Sequence, residues 1–535
     1  MFSALRAAGR AELAQGARRW GLLGAVLLAV VGLHLCTLYP GVGGRINGGD
    51  SAKFQFIGTV VGVSHPPGNP LYLLLNALWV RLPWPCSPAT AASLLSWLFG
   101  ALTLFFIARA LAQQLSRSAA CFALLGLGLG PSFWTLATEA EVYTLNTCLL
   151  AASCAAALRF ARSHERRALL ACAGCALLAC ANHLTSLALM PPIAWLIWSA
   201  RNTPGRLGGK DALILLGSAL LCASLYAYVP IRALQGAAYS ELVGEVSART
   251  VLDYLTARGA QAQFWSGSLE QIALTRVPAF ALQLQEQWPW PLFALIAVGA
   301  VELHRAVPLF SRFALIASAA YALLALGYDI PDPAGFYLPV ITLLALPLGA
   351  AFAQLSVRRI RSLLSVALFA ACLGWGVVQH LERFERAAHR GLVYSIGNQR
   401  KILLDLDDLF ARIPEGADFA LPCGAYGCVQ LFNYYRFADP VVARRRIAFV
   451  RLPGFDSPFL PFAPARAVPW PQVRERVVCT FHERDAKRMQ RTGVRVQAIE
   501  RPAQRVAGTL YSGVPFYCSC PESNADCVAR SGNDP

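Results

Sequence analysis

Charge is what this chain has least of. Only 14% of its 535 residues are Asp, Glu, Lys or Arg, against about 25% in an ordinary soluble domain. Apolar side chains fill the gap, at 56% of residues and a mean hydropathy of +0.47. A soluble globular protein is thereby excluded, and a polytopic membrane protein is indicated. Apolar runs near the bilayer-spanning length of about 20 residues recur as far as His380. Beyond that point Arg, Asp, Glu and Pro return and the long runs stop. The expected division is a short N-terminus (1–20), a membrane domain (21–380) and a water-soluble C-terminal domain (381–535).

Other absences narrow the chemistry. There is no Walker sequence, no HExxH and no GxSxG, so the P-loop, zincin and nucleophile-elbow readings fall away. The glycine run at Gly126–Gly130 lies inside an apolar segment with no strand before it, which fits close helix packing and not a nucleotide loop. No internal repeat or low-complexity tract is present. No small-residue cleavage site follows Gly21–Tyr39, so a signal anchor is expected and not a cleaved leader. Of the 16 cysteines, those in apolar segments behave as small hydrophobes. Cys423, Cys428, Cys479, Cys518, Cys520 and Cys527 lie in the tail without a CxxC pair, which points to disulfides over zinc.

The formal charge of +17 reads as topology and not as a nucleic-acid signature, because much of it sits in short loops between apolar segments. Arg6, Arg10, Arg18 and Arg19 place the N-terminus in the cytoplasm. The first span then runs outward into a loop over 40–88. Pro70–Pro83 is too short to cross and reads as a re-entrant or interfacial helix. Spans follow at about Thr90–Ala108 and Ala119–Ala137, then a return to Arg159–Arg167, a hairpin with Asn182-His183 at its tip, and Ala212–Val229. An outer loop occupies 231–287. Two spans join Trp288 to Tyr328-Asp329, one runs from Phe336 to Arg358, and Leu363–Val378 delivers the tail outside. The expected fold is an all-α polytopic domain of about eleven transmembrane helices with a small α/β C-terminal domain. In the tail, Leu392–Ile413 has helical spacing, Asp418–Cys423 is a strand candidate and Cys428–Phe437 a helix candidate.

This topology, drawn from charge and length alone, puts Asp50, His65, Glu139, Glu141, His183, Arg232, Asp329 and Asp332 on one outer face. Each has a plain reading beside a functional one. Asp50 is either a solvated loop acid or a general base for an acceptor hydroxyl. His65-Pro66-Pro67-Gly68 is either a simple turn or a device that holds a histidine at the mouth of a site. Glu139 and Glu141, with Tyr143 just after them, either cap the next helix or form a coupled pair that holds a cation, orients a base or binds sugar hydroxyls. Arg232 either snorkels or grips phosphate. A transporter or flippase also carries intramembrane ionisable groups, but near the midplane and in repeated halves. A non-catalytic membrane assembly protein is the third class.

The ordered set NGGDSAKF, HPPGNPLY, TEAEVYTLN, ANHLTS, YVPIRA and YDIPDPAGFYLP resembles the family known as domain of unknown function 2723. That family includes the transmembrane protein O-mannosyltransferases, and the likeness covers about residues 20–360. It implies a GT-C type glycosyltransferase that moves a sugar from a polyprenyl-phosphate donor to a hydroxyl acceptor on a protein or glycan, outside the membrane and with inversion. It also implies a catalytic carboxylate at Asp50 and second-loop acids at Glu139 and Glu141. Lys53, His65, Tyr143, His183, Arg232, Asp329 and Asp332 are the accompanying substrate-binding candidates. The family usually has another acid three residues after the first; here Lys53 stands there, a group suited to the donor phosphate. The leaving phosphate is already a good one, so a divalent metal is not demanded, and no other cofactor is expected.

Overall fold

The computed structural model describes residues 21–39, 41–44, 48–329, 333–353 and 359–387, most of 392–452, and shorter stretches out to 520. Asp332 and the N-terminal arginines lie outside these residues. The chain opens with α1 (Gly21–Cys36), α2 (Gly48–Val60), α3 (Pro70–Trp79) and α4 (Pro88–Gln114). Then come α5 (Arg117–Gly128), α6 (Pro131–Ala137), α7 (Tyr143–Ser163), α8 (Arg166–Asn182) and α9 (Met190–Ala200). Next are α10 (Gly209–Ser224), α11 (Tyr228–Leu234), α12 (Ala248–Leu255) and the one-turn helices α13 (Arg258–Gln261) and α14 (Leu269–Gln271). The helical domain ends with α15 (Val277–Gln287), α16 (Pro291–Ala306), α17 (Pro308–Gly327), α18 (Ala334–Ala350) and α19 (Arg359–Ala387).

Among the described residues, 4 helices are long and apolar enough to cross a membrane, or up to 5 if one bent pair counts as a span. Several shorter apolar helices accompany them, including α1, α3 and α18. The ten residues of α3 rise only about 15 Å, half a bilayer core. The apolar segment Ala119–Ala137 is not one straight helix. It bends by 72° between α5 and α6, because Pro131 cannot donate to the preceding turn and starts a new helix instead. Gln287 closes the break, its Oε1 accepting from the backbone N–H of Ser132 at 3.1 Å and Phe133 at 3.3 Å. The segment YVPIR is also helical, so α10 and α11 run through to Leu234. The stretch 231–287 is no open loop; it contains α12 to α15.

In the tail, β1 (Leu392–Ile396) and β2 (Arg400–Leu404) pair antiparallel, and only Leu406–Arg412 (α20) is helical. The helical spacing expected over Leu392–Ile413 is therefore wrong for its first half. Val393, Tyr394, Ile396 and Ile402 favour a pleated surface, and Gly397-Asn398 between the two runs has hairpin composition. The expected strand and helix do form, as β3 (Asp418–Ala420) and α21 (Tyr426–Phe437). A six-stranded mixed sheet follows, in which β3 is flanked by β4 (Ala448–Arg451) and β5 (Arg466–Ala467) on one side. On its other side are β6 (Val478–Thr480), β8 (Phe516–Cys520) and β7 (Arg495–Ile499). Cys479 and Cys518 sit opposite each other in β6 and β8 and form a disulfide. The side chains of the other four tail cysteines lie outside the described residues.

Two cores organise the molecule. The larger is built by α4, α5, α7, α8, α17 and α18. The second joins the two domains: Phe54, Phe56 and Tyr72 from the helical part pack with Phe410, Phe432 and Tyr435 from the tail. The helix α2 is thus covered by α21, with the Phe56 and Phe437 rings stacked at 5.6 Å.

Candidate active site

Asp50 lies in the first turn of α2, where the helix dipole favours an acid. Lys53 follows at i+3 on the same face. Past Val60 the chain reverses through Val61, whose φ is 48°. It then runs beside Tyr239–Glu241: the Val63 N–H donates to the Tyr239 carbonyl at 2.9 Å, and the Glu241 N–H to the Val63 carbonyl at 3.0 Å. His65-Pro66-Pro67-Gly68 turns sharply, with a cis Pro66–Pro67 bond and Gly68 at φ 104°. A Cβ on Gly68 would meet the Val229 side chain at 2.6 Å, so both the backbone angle and the space call for glycine. The turn sets His65 beside Lys53.

Lys53 is the hub. Its side chain is wholly buried, and its ammonium donates to Asp50 Oδ1 at 2.6 Å and to His65 Nδ1 at 2.5 Å. A third partner, Glu241 Oε1, lies at 3.4 Å. Among the described residues three acceptors thus face its three N–H bonds. Burial alone would lower the Lys53 pKa, but the Asp50 and Glu241 carboxylates outweigh it and hold the ammonium above its ordinary value. The same ammonium has no acceptor atom, so His65 receives at Nδ1 as a neutral ring with its proton on Nε2. Dense surrounding protein and then the Lys53 charge lower the His65 pKa, although 32% of the side chain stays accessible.

The second-loop acids approach from the other side of the same turn. Ser51 donates to Glu141 Oε1 at 2.8 Å. Glu139 Oε2 crowds Gly44, where a Cβ would clash with it and meet Ser51 Oγ at 2.6 Å. Both glutamates are buried. Their loop is anchored by Ser96, which accepts from the Glu141 N–H at 2.9 Å. Amide side chains tie the outer loops together: Asn69 donates to the Asn182 carbonyl at 3.0 Å, and Asn182 to the Val142 carbonyl at 3.1 Å. His183 caps the next helical turn through Thr185 and lies 5.5 Å from the Tyr143 ring. Burial, and then the nearby His65, push its pKa down to about 3.

Two candidates are engaged elsewhere. The Arg232 guanidinium donates to the Val61 carbonyl at 2.9 Å and to Gln235 at 2.7 Å, so it braces the end of α2. Asp329 pairs with Arg276 at 3.1 Å. Its neighbour Tyr328 packs on Phe336 at 5.0 Å, and Phe336 on His183 at 5.6 Å, so this loop borders the site through rings. Glu241 and Tyr239 escape a sequence reading: they sit in no motif, and only the backbone pairing with Val63 brings them to Lys53. Among the described residues no group of three or more His, Cys, Asp or Glu is placed to hold a metal.

The buried, neutral His183 carries a pH consequence. Below about pH 6.5 the unfolded chain takes up protons that folded His183 refuses down to about 3. Stability therefore falls as the pH drops through that window, by at most about 1.4 kcal/mol per pH unit for that histidine. Thermal denaturation from pH 7.5 to 4.5 should show this decline, and His183→Asn should flatten it.

Residues 50–205 match the family model described as Protein O-mannosyl-transferase TMEM260 N-terminal domain. That stretch begins at Asp50 and contains Lys53, His65, Glu139, Glu141, Tyr143 and His183, but not Glu241. The Mus musculus Protein O-mannosyl-transferase TMEM260 is 29% identical over 200 residues, which is 36% of this chain and 27% of that protein. The chain thus matches little more than a quarter of that relative's length. Two crystal structures of ArnT from Cupriavidus metallidurans superpose with a TM-score of 0.57. The form bound to undecaprenyl phosphate is 14% identical and covers 93% of this chain and 98% of ArnT. The apo form is 13% identical and covers 97% and 100%. At these identities the likeness shows a shared fold.

Proposed function

We propose that this chain is a membrane glycosyltransferase of GT-C type that moves a sugar from a polyprenyl-phosphate donor to a hydroxyl acceptor outside the membrane. The observation that carries the reading is the meeting of Asp50, Lys53 and His65 at one point, with Ser51–Glu141 on the same helical turn. ArnT, whose fold the chain shares, was crystallised with undecaprenyl phosphate, which supports a lipid-phosphate donor. The family model and the Mus musculus relative both carry the name Protein O-mannosyl-transferase TMEM260, which supports an O-mannosyltransferase-like activity. Counting the bent pair and the shorter apolar helices as crossings, and leaving out α3, gives nine passes, and adding α8 and α16 brings the number to about eleven. Basic loops then face the cytoplasm, and the C-terminal domain lies outside.

In this reading Asp50 accepts the proton of the acceptor hydroxyl as its oxygen attacks the anomeric carbon. The new C–O bond forms on the face opposite the lipid phosphate, the old C–O bond breaks, and the phosphate departs with the electron pair. Lys53 supplies the positive charge that meets it. His65, neutral, keeps Lys53 turned toward Asp50. Glu139, Glu141, Tyr143 and His183 line the sugar side.

The test is the full chain reconstituted in vesicles with a panel of radiolabelled polyprenyl-phosphate sugars and hydroxyl acceptors. Transfer with inverted anomeric configuration and release of lipid phosphate is the expected result. Transbilayer movement of intact lipid-linked sugar, with no transfer from any donor, would establish the flippase reading instead.

A further inference from the structure

We propose that Gln430 and Tyr239 are positioning residues through which the C-terminal domain holds the Lys53–Asp50 pair in its working arrangement; the inference rests on the transferase reading above. Gln430, on α21, donates from Nε2 to Tyr239 Oη at 2.7 Å. Tyr239 donates in turn to Glu241 Oε1 at 2.6 Å. The same Glu241 oxygen faces Lys53 at 3.4 Å, and Lys53 donates to Asp50 at 2.6 Å. The chain thus runs from a helix of the tail to the proposed base without a gap.

The direction of every bond is determined. Asn433 donates to Gln430 Oε1 at 3.3 Å, which turns the amide nitrogen toward Tyr239. Burial and the Glu241 charge hold the phenol protonated, well above its ordinary pKa, so it donates to Glu241 at any physiological pH. By drawing charge from Glu241, Tyr239 leaves Lys53 more fully to Asp50.

A docking contact alone does not call for such a chain. The surrounding interface is apolar, with Phe56 against both Tyr239 at 5.0 Å and Phe437 at 5.6 Å. Gln430 is fully buried and Tyr239 only 4% exposed. Burying these polar groups costs free energy that apolar side chains of similar size would avoid. The polar chain ends on Lys53, which donates to the proposed base, and this gives it a purpose beyond adhesion.

The experiment uses the full chain in nanodiscs and the variants Tyr239→Phe, Gln430→Met and their combination. Tyr239→Phe should lower kcat about tenfold, the loss of one charge-assisted bond, with donor KM within twofold and only a small fall in melting temperature, the cost of the buried groups it leaves unpaired. Gln430→Met should lower kcat less. The double variant should match Tyr239→Phe, because members of one chain are not additive. Wild-type kcat in both single variants, or losses confined to KM or melting temperature, would overturn the proposal. A second readout is independent of turnover. The chain has only four lysines (Lys53, Lys210, Lys401 and Lys487), so the 15Nζ resonance of Lys53 is assignable. It should move in Tyr239→Phe, and an unmoved resonance overturns the coupling whatever the activity. A wild-type protein inert toward every donor, yet with a moving resonance, would sink the transferase reading and leave the coupling standing.

Discussion

Asp50→Asn should lower sugar transfer by about 10²–10⁴-fold, the usual contribution of a positioned general base. The substitution keeps shape and the capacity to accept a hydrogen bond from Lys53, but an amide does not take a proton at neutral pH. Lys53 would still have the Glu241 carboxylate at 3.4 Å and the His65 acceptor at 2.5 Å, so its charge stays compensated. Asp50 is also the most accessible of the lysine's carboxylate partners, at 22% against 6% for Glu241. The melting temperature should therefore move little while turnover collapses. Initial rates with a labelled polyprenyl-phosphate sugar, measured beside thermal denaturation, separate the two quantities. Full transfer by the variant would remove Asp50 as the base, and a loss of transfer that merely tracks unfolding would make it a structural ion-pair partner.

Much of this was legible in the residues because membrane solvation is a strict constraint. Charge-poor runs and basic loops gave the polar residues one expected face, and the folded chain brings Asp50, Lys53 and His65 into contact, with Glu141 bound by Ser51 next to Asp50. Periodicity served less well where a proline interrupts or where strands are short. Pro131 splits an apolar run into α5 and α6, and Leu392–Ile396 pairs with Arg400–Leu404 as antiparallel strands although the spacing suits a helix. The harder omission was Glu241. The absence of an acid at position 53 reads in sequence as a missing carboxylate. In the folded chain a carboxylate reaches that lysine from almost two hundred residues away, through a backbone pairing that no periodicity signals. Arg232 shows the converse: its motif is conspicuous, yet its guanidinium is spent on the Val61 carbonyl.

Lys53→Met should be the most destabilising single change in the site. The lysine is fully buried and compensates Glu241, which is 6% exposed; removing one partner of a buried ion pair typically costs about 3–5 kcal/mol, because the other charge is stranded. Methionine fills nearly the same volume, so little of the loss would come from a cavity. The stranded carboxylate is the cause if Lys53→Met/Glu241→Gln recovers at least half of the lost stability, since the neutral amide still accepts from Tyr239. Transfer should not recover with it: the departing lipid phosphate would lack the positive charge that Lys53 provides. Melting temperatures and transfer rates of the wild type, both single variants and the double variant form the required cycle. Recovery of stability without activity separates the lysine's two roles, compensating charge in the folded protein and receiving charge in the reaction. Recovery of both would show that Lys53 serves the fold alone and that the phosphate must find its partner among other groups. No recovery of stability would mean that Asp50, and not Glu241, bears the cost, so that the base itself depends on Lys53 to remain ionised.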